Sequence, residues 1–240
     1  LTIPCALLTG VVLEVIALRT LYQRDHMDQV LATFGLILFF NELVSIVWGA
    51  EQQAMPLPPI FSGHVEIFPD APYPVFRLAI IAMGIIVAVF LYLLISRTRI
   101  GMLIRAGASN RPMVGALGVN IRQLYTLVFG LGATLAAIAG VMAGPILSVE
   151  PGMGEDMLIL AFVVIVIGGI GSIRGAVVAS IIVGVFETVG RSTLPYLLSQ
   201  VLPQDAAQTA GPAMASMLIY ILMAGVLFFK PEGLFPARTG

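Results

Sequence analysis

The sequence has very little charge for its length. Of its 240 residues, 10% are charged and 59% are hydrophobic, and the mean hydropathy is +1.02. A soluble domain carries about 25% charged residues because its surface must face water. So little charge excludes a soluble globular protein and indicates that the apolar excess faces lipid.

Cysteine, histidine and net charge are also scarce. Cys5 is the single cysteine, which excludes an intrachain disulfide and a metal site built from cysteines. The net charge is −1, so no overall field attracts nucleic acid. The two histidines lie in different polar segments, and no Ser/His/Asp or H-E-x-x-H pattern occurs. We therefore predict no enzyme, and no catalytic, metal-binding or cofactor-binding residue in this chain.

Long apolar runs are what the sequence has instead. A helix of about 20 mostly apolar residues spans a bilayer. Six regions qualify: Ile3–Leu18, Val30–Trp48, Val75–Ile95, Leu124–Leu147, Met157–Val189 and Ala213–Phe229. The fifth is too long for one upright helix and is interrupted at Gly168–Gly175, which predicts two segments joined by a turn. The fold class is therefore all-α, a polytopic transmembrane helix bundle, with a single domain over residues 1–240 that includes a broken Gly-rich segment at 157–190.

Basic residues predict the orientation of these spans, because cytoplasmic loops carry an excess of Lys and Arg. Residues 96–123 contain five arginines and no acidic residue, and Lys230 and Arg238 follow the last span. The segments 49–74 and 149–156 contain acidic residues and no Lys or Arg. We predict that residues 19–29, residues 96–123 and the C-terminus are cytoplasmic, and that 49–74 and 149–156 lie outside. Successive loops alternate between the two sides of the membrane only if Met157–Val189 crosses it twice.

The basic loop 96–123 contains apolar residues that a purely solvated tether would not need, among them Met102, Leu103 and Leu117. One interpretation is an amphipathic helix on the membrane face, with its arginines on anionic headgroups. The other is a short helix that docks in a groove of a cytoplasmic subunit. The pattern alone leaves both open.

The stretch Phe162–Gly175 places four glycines and Ser172 at predicted membrane depth. Irregular backbone is tolerated there only where it is buried in protein or lines a watery cavity. The spacing is not G-x-G-x-x-G, so we predict no nucleotide site. For the small-residue pair Gly140 and Gly144 we predict helix packing. For the break itself we predict a role in a solute path.

Few ionisable residues lie within the predicted spans. Glu14, Glu42 and Glu187 are expensive in lipid and are therefore expected to face protein or water. Glu14 and Glu187 lie near predicted span ends, where we expect them to reach headgroups. Glu42, beside Asn41, is deeper and receives no role.

Four blocks of residues carry a resemblance to a known family. They are Glu14 to Arg19 leading to Ala32-Thr33-Phe34-Gly35, Thr98-Arg99-Ile100-Gly101 through Leu117-Gly118-Val119-Asn120, Gly168-Gly169-Ile170-Gly171-Ser172 followed by Gly175-Ala176, and Lys230-Pro231-Glu232-Gly233-Leu234-Phe235. In this order they resemble the permease subunits of the branched-chain amino acid ABC importers of the Liv type, more closely the member whose break reads GGIGS. Two departures stand out: Thr20 follows Arg19 where the family usually has proline, and the family's usual first span and Gly/Asn-rich break do not precede residue 1. The resemblance therefore implies an N-terminally truncated chain.

The resemblance also implies sites and partners. The second block becomes a segment that docks on a cytoplasmic ATPase, which favours the docking interpretation; its expected contacts are Arg105, Ala108, Asn110, Leu117, Gly118 and Asn120. Gly168, Gly169, Gly171 and Ser172 are expected near a translocation path between two permease subunits. Further expected partners are an external, periplasmic solute-binding protein and the lipid bilayer of the bacterial inner (plasma) membrane. ATP is expected to bind the partner ATPase rather than this chain.

Three functions follow as hypotheses. The first is an importer permease for branched-chain or related amino acids. The second is a self-contained secondary carrier or channel for a small polar solute, including urea or amides, against which the lack of an ion-coupling carboxylate cluster counts. The third is a membrane scaffold, against which the broken Gly-rich span counts.

Overall fold

A computed structural model of the chain describes residues 1–22, 24–68, 71–200 and 203–235. Asp70 and Arg238, which contributed to the charge pattern, lie outside the described residues. The chain divides into two compact units, Leu1–Met153 and Gly154–Gly240, and each is described by itself. The prediction of a single domain over residues 1–240 stays a prediction.

Ten α-helices account for most of the described residues. They are α1 (Thr2–Leu13), α2 (Arg19–Leu21), α3 (His26–Trp48), α4 (Val75–Arg97), α5 (Arg99–Ser109), α6 (Arg111–Ala116), α7 (Ile121–Leu147), α8 (Met153–Gly168), α9 (Ile173–Ser199) and α10 (Gln204–Phe229). A π-helical turn, Glu14–Leu18, joins α1 to α2. A 3-10 turn at Pro59–Phe61 and an antiparallel hairpin of β1 (His64–Phe68) and β2 (Ala71–Pro74) lie between α3 and α4.

Within the described residues, six helical stretches are long and apolar enough to cross a membrane. They are Thr2–Leu21, Met27–Trp48, Val75–Arg97, Ile121–Leu147, Ile173–Ser199 and Gln204–Phe229. The all-α, polytopic fold class is confirmed. The predicted interruption is also present, because α8 ends at Gly168 and α9 begins at Ile173. The 16 residues of α8 extend about 24 Å, less than the roughly 30 Å of a hydrocarbon core.

The first unit is centred on the packing of α1 against α7. Gly10 lies so close to α7 that an added Cβ would come within 2.6 Å of the Ala133 Cβ, and an added Cβ at Gly130 would meet Val11 at 3.3 Å. The expected helix interface at Gly140 and Gly144 is different: an added Cβ at Gly140 would meet nothing within 4 Å, while one at Gly144 would meet Met55 and Val149 in non-helical segments. Close helix packing therefore uses glycines that the sequence pattern did not single out.

Two acidic segments meet in this unit. Gln53 and Val149 exchange two backbone hydrogen bonds, of 2.8 and 2.9 Å between nitrogen and oxygen. The segments 49–74 and 149–156 were predicted to share one side of the membrane, and this bridge joins residues of both. Which side is external stays a prediction.

The second unit packs α8 on an antiparallel pair of helices, α9 and α10. Ala207, Gly211 and Ala215, spaced by four residues, are buried along α10. An added Cβ at Gly190 of α9 would lie 3.2 Å from the Ala215 Cβ, so small residues allow the backbones to approach. The apolar core beside this seam contains Val163 and Ile167 of α8, Ala179 and Val183 of α9, and Ile219 of α10.

Candidate functional site

The basic loop forms two helices that fold back on their neighbours. The Thr98 hydroxyl caps α5 by accepting a hydrogen bond from Gly101 N at 3.1 Å. Gly101 lies directly against the end of α4, where an added Cβ would be 2.3 Å from the Ile95 carbonyl oxygen. The Arg105 guanidinium donates a hydrogen bond to that same carbonyl. Arg105, expected at the ATPase contact, therefore holds α5 to the end of α4.

The far end of the loop is held to α7. An added Cβ at Gly107 would lie 3.1 Å from the Leu124 side chain, and Val114 of α6 is buried. The side chains of Asn110 and Asn120 cap α6 and α7, accepting hydrogen bonds from Met113 N at 3.1 Å and Gln123 N at 3.3 Å. The segment is thus attached to the ends of two long helices.

Several apolar side chains of this segment are exposed beside its polar ones. Leu117 is 76% exposed and Met113 is 60% exposed, and Ala108 is exposed on α5. Gly118 has φ +84°, the left-handed conformation that ends α6 and that side chains disfavour. All six residues expected to contact an ATPase are exposed, although Asn110 and Asn120 also act as helix caps, and the contact itself stays a prediction.

A buried charged cluster lies beside this segment. Glu14 is fully buried, and its Oε2 accepts a hydrogen bond from the Thr126 hydroxyl at 2.6 Å and pairs with Arg19 Nη2 at 3.4 Å. Arg19 Nη2 also donates to the Thr126 hydroxyl oxygen at 3.1 Å. The expectation that Glu14 reaches lipid headgroups is wrong, because its carboxylate is enclosed between α1 and α7.

The π-helical turn explains why sequence spacing missed this pair. Residues three or four apart are neighbours on an α-helix, whereas Glu14 and Arg19 are five apart. In the π turn the Arg19 N–H bonds to the Glu14 carbonyl, and this wider turn brings both side chains to one face. Glu187 shows the contrast: it pairs with Arg191 at 2.9 Å with ordinary α-helical spacing.

A cavity of about 510 Å³ opens next to Arg19, bordered by α1, α4, α5 and α7. Its polar lining residues are Arg19, Gln123 and Thr126. Its other lining residues are aliphatic: Leu7, Val11, Leu94, Ile100, Leu127 and Leu131. A second cavity of about 440 Å³ lies between α4 and α7 and is lined by apolar residues alone, among them Ala139.

In the second unit, the GGIGS turn is covered by the last motif of the chain. Leu234 N donates to the Ile167 carbonyl at 2.8 Å, and Phe235 N donates to the Gly168 carbonyl at 3.0 Å. These are carbonyls at the end of α8, which lack helical partners. Leu234 also packs against the core of the unit. The motifs GGIGS and KPEGLF therefore form one junction.

Close backbone contact makes glycine necessary at this junction. An added Cβ at Gly175 would lie 2.0 Å from the Gly168 oxygen. Gly233 and Gly169 have φ of +84° and +99°, and an added Cβ at Gly233 would lie 2.5 Å from the Gly169 Cα. Gly168 and Gly169 are buried in these contacts, whereas Gly171 is exposed and Ser172 is half-buried, with its hydroxyl capping α9 through Gly175 N at 3.1 Å. Their expected place near a translocation path stays a prediction.

The described part of the chain has six stretches long and apolar enough to cross a membrane, which define a multi-pass membrane protein. Residues 1–227 match the family described as the permease component of branched-chain amino acid transport systems, and the chain belongs to this family. A family of transport permeases is not an enzyme class, and it supports the importer hypothesis over a self-contained carrier or a scaffold.

Similar proteins with established names share this description. The high-affinity branched-chain amino acid transport system permease protein BraD of Pseudomonas aeruginosa is 29% identical, over 94% of this chain and 69% of its own. The corresponding protein LivH of Escherichia coli K12 is 28% identical, over 92% of this chain and 70% of its own. The probable permease LivH of Methanocaldococcus jannaschii is 23% identical, over 98% of this chain and 73% of its own. No solved structure matches the chain.

Proposed function

We propose that this chain is one of two permease subunits of an ABC importer that carries branched-chain or related amino acids across a bacterial inner membrane. The solute arrives on an external binding protein, and ATP binds to cytoplasmic ATPase subunits rather than to this chain. The names of the similar permeases support the solute class. The positive-inside distribution of arginines supports a cytoplasmic position for residues 96–123 and for the C-terminus.

The observation that carries the proposal is the geometry of α5 and α6. The segment exposes Leu117 and Met113 while Gly101 and Arg105 hold it to α4 and Asn120 caps α7. Exposed apolar side chains on a firmly attached helical segment suit insertion into a groove of a partner protein.

This attachment supplies a mechanical route from ATP to the membrane helices. A partner that displaces α5 and α6 pulls on the end of α4 through Arg105 and on the start of α7 through Asn120 and Leu124. Packed helices transmit such displacements as rigid elements rather than absorbing them. The chain itself performs no chemistry in this mechanism; it converts closure of the ATPase subunits into a change of access for the solute.

A cysteine at Leu117 tests the docking directly. In the full importer, Leu117→Cys is expected to crosslink to an ATPase subunit that carries an engineered cysteine in its groove, because Leu117 projects from the attached segment. The matched control is Leu147→Cys, which is 50% exposed at the opposite end of α7 and is expected to give no crosslink. Equal crosslinking at both positions, or none at Leu117, would contradict docking through α6.

The solute class is tested by ATP hydrolysis in proteoliposomes that contain the permease pair, the ATPases and the binding protein. We expect leucine, isoleucine or valine on the binding protein to stimulate hydrolysis, and stimulation to require this chain. Uptake that continues without the ATPase subunits would instead favour the carrier hypothesis.

A further inference from the structure

Three features coincide at the end of α1. The helix contains a π turn, Glu14 and Arg19 form a buried ion pair, and a cavity of about 510 Å³ opens beside Arg19. Ionisable residues within membrane spans commonly mark solute pathways, and π turns occur frequently at functional sites. An ion pair can hold two helices together without a cavity beside it. The cavity next to Arg19 therefore indicates a further role for this cluster.

The charged pair beside the cavity has hydrogen-bonding capacity left over. Arg19 Nε and Glu14 Oε1 are buried and have no hydrogen-bond partner among the described residues. Arg19 lines the cavity together with Gln123 and Thr126, while Glu14 lies behind them. A guanidinium binds a carboxylate well because its N–H groups form a planar fork.

The charge balance of the pair selects among ligands. Glu14 already neutralises Arg19, so a simple anion would place two negative charges on one guanidinium. A zwitterion brings its own cation and keeps the site neutral, with its ammonium group near the oxygens of Gln123, Thr126 and the Glu14 carboxylate behind them. A ligand without net charge is therefore favoured over an anionic lipid headgroup.

The remaining wall of the cavity determines the rest of the ligand. It consists of six aliphatic side chains, including Leu7 and Val11 of α1 and Leu127 and Leu131 of α7. The volume falls in the range of about 300–1,000 Å³ typical of small-molecule sites, which are mostly apolar with a few polar groups that orient the ligand. An acidic or basic side chain would have no partner along this wall.

We propose that this cavity binds a zwitterionic amino acid with an aliphatic side chain, its carboxylate on Arg19 and its side chain against α1 and α7. This inference rests on the proposed function for the solute, and it adds a site within this chain. The site borders Ile100 of α5 and Gln123 at the start of α7, so a bound amino acid lies directly against the segment proposed to contact the ATPase.

Photolabelling tests the site. The full importer in nanodiscs is irradiated with leucine that carries a diazirine in its side chain, and the labelled peptides are mapped by mass spectrometry. We expect labelling within residues 7–19 or 123–131, competed by isoleucine but not by glutamate, lysine or leucinol, which lacks the carboxylate.

Two variants separate occupancy from folding. Leu131→Trp fills the cavity without touching the charged pair and is expected to reduce labelling about tenfold or more. Ala139→Trp, on the same helix but in the apolar cavity between α4 and α7, is the control and is expected to label like the wild type. The double variant Glu14→Gln with Arg19→Gln removes both charges, leaves no unpaired buried charge, and is expected to weaken labelling about tenfold or more.

Unchanged labelling in Leu131→Trp, or labelling confined to other segments, would overturn the proposal. So would competition by phosphatidylglycerol but not by isoleucine, because an acyl chain would then occupy the cavity. Leucine-stimulated ATP hydrolysis is measured on the same samples. If stimulation is present without cavity labelling, the inference alone fails; if labelling is present without stimulation, the importer function fails and the amino acid site stands.

Discussion

The two units hold their helix ends together by different means. In the first unit, Glu14, Arg19 and Thr126 join α1 to α7 through side chains. In the second, Gly168, Gly175 and Gly233 bring backbone against backbone, with two hydrogen bonds from the KPEGLF motif to the end of α8. A side-chain junction depends on matched charges, whereas a backbone junction depends on the absence of side chains. The two should therefore fail under different substitutions.

The largest effect is expected at the backbone junction. Gly175→Ala places a Cβ 2.0 Å from the Gly168 oxygen, and two backbone segments cannot yield as a flexible side chain can. We expect a loss of about 3 kcal/mol or more in the free energy of unfolding, at the upper end of overpacking costs. Unfolding of the purified protein by a denaturing detergent measures it.

A control for Gly175→Ala is available on the same helix. Gly184 also lies in α9, but an added Cβ there would meet nothing within 4 Å. Gly184→Ala is expected to be neutral or stabilising by up to about 1 kcal/mol, because alanine is the better helix former. Equal losses in the free energy of unfolding at both positions would show that α9 is destabilised by any substitution. Close backbone contact at Gly175 would then not explain the loss.

A smaller loss is expected at the side-chain junction. Glu14→Ala leaves the Arg19 guanidinium without its carboxylate, and breaking a buried pair costs about 3–5 kcal/mol. The Arg19 side chain is 36% exposed, so solvent screening reduces the expected loss to roughly 2 kcal/mol. The same unfolding measurement applies.

The Glu187–Arg191 pair provides the comparison for Glu14. Its arginine side chain is 55% exposed and its spacing is that of an ordinary helix pair. Glu187→Ala is expected to change stability by about 0.5 kcal/mol or less. If both glutamates proved equally dispensable, the buried cluster would contribute little to holding α1 against α7.

A third loss, smaller than those at Gly175 and Glu14, separates backbone conformation from close contact. Gly118 has φ +84° but an added Cβ there would meet nothing within 4 Å, so Gly118→Ala introduces strain without a clash. We expect a loss of about 1 kcal/mol, with partial recovery in Gly118→Asn because asparagine tolerates this conformation better. Gly115→Ala, in the helical part of α6, should show no loss. A Gly118→Ala loss as large as that of Gly175→Ala would contradict the distinction between strain and clash.

Much of the fold was predictable from hydropathy and charge. The six apolar regions, the interruption after Gly168 and the grouping of acidic segments follow from local composition, since each depends on residues near one another in the chain. The hairpin of β1 and β2 was not predicted, nor was the start of α10 at Gln204, nine residues before the expected Ala213. The extra turns contain Gln, Asp and Thr, whose polarity masks the helix in a hydropathy count.

The candidate sites were less predictable, for a physical reason that particular residues illustrate. Glu14 and Thr126 are 112 positions apart, and their hydrogen bond depends on how α1 crosses α7 at Gly10 and Gly130. Several glycines in the chain have the spacing to permit such a crossing, and the expected pair, Gly140 and Gly144, does not form the crossing of α1 and α7 in the described residues. A local sequence pattern shows where small residues occur along a helix, but it does not show which of them pack against another helix.

The amino-acid sequence alone thus specified a membrane protein, the approximate positions of its apolar regions, and the family whose motifs it carries. Those properties follow from the free energy of transferring each segment from water to lipid, which depends on the composition of that segment and not on the residues it packs against. Tertiary structure alone decided that KPEGLF closes the GGIGS turn, that Arg105 holds α5 to α4, and that Arg19 borders a cavity. These contacts depend on backbone approach within a few tenths of an ångström, which is set by the packing of whole helices.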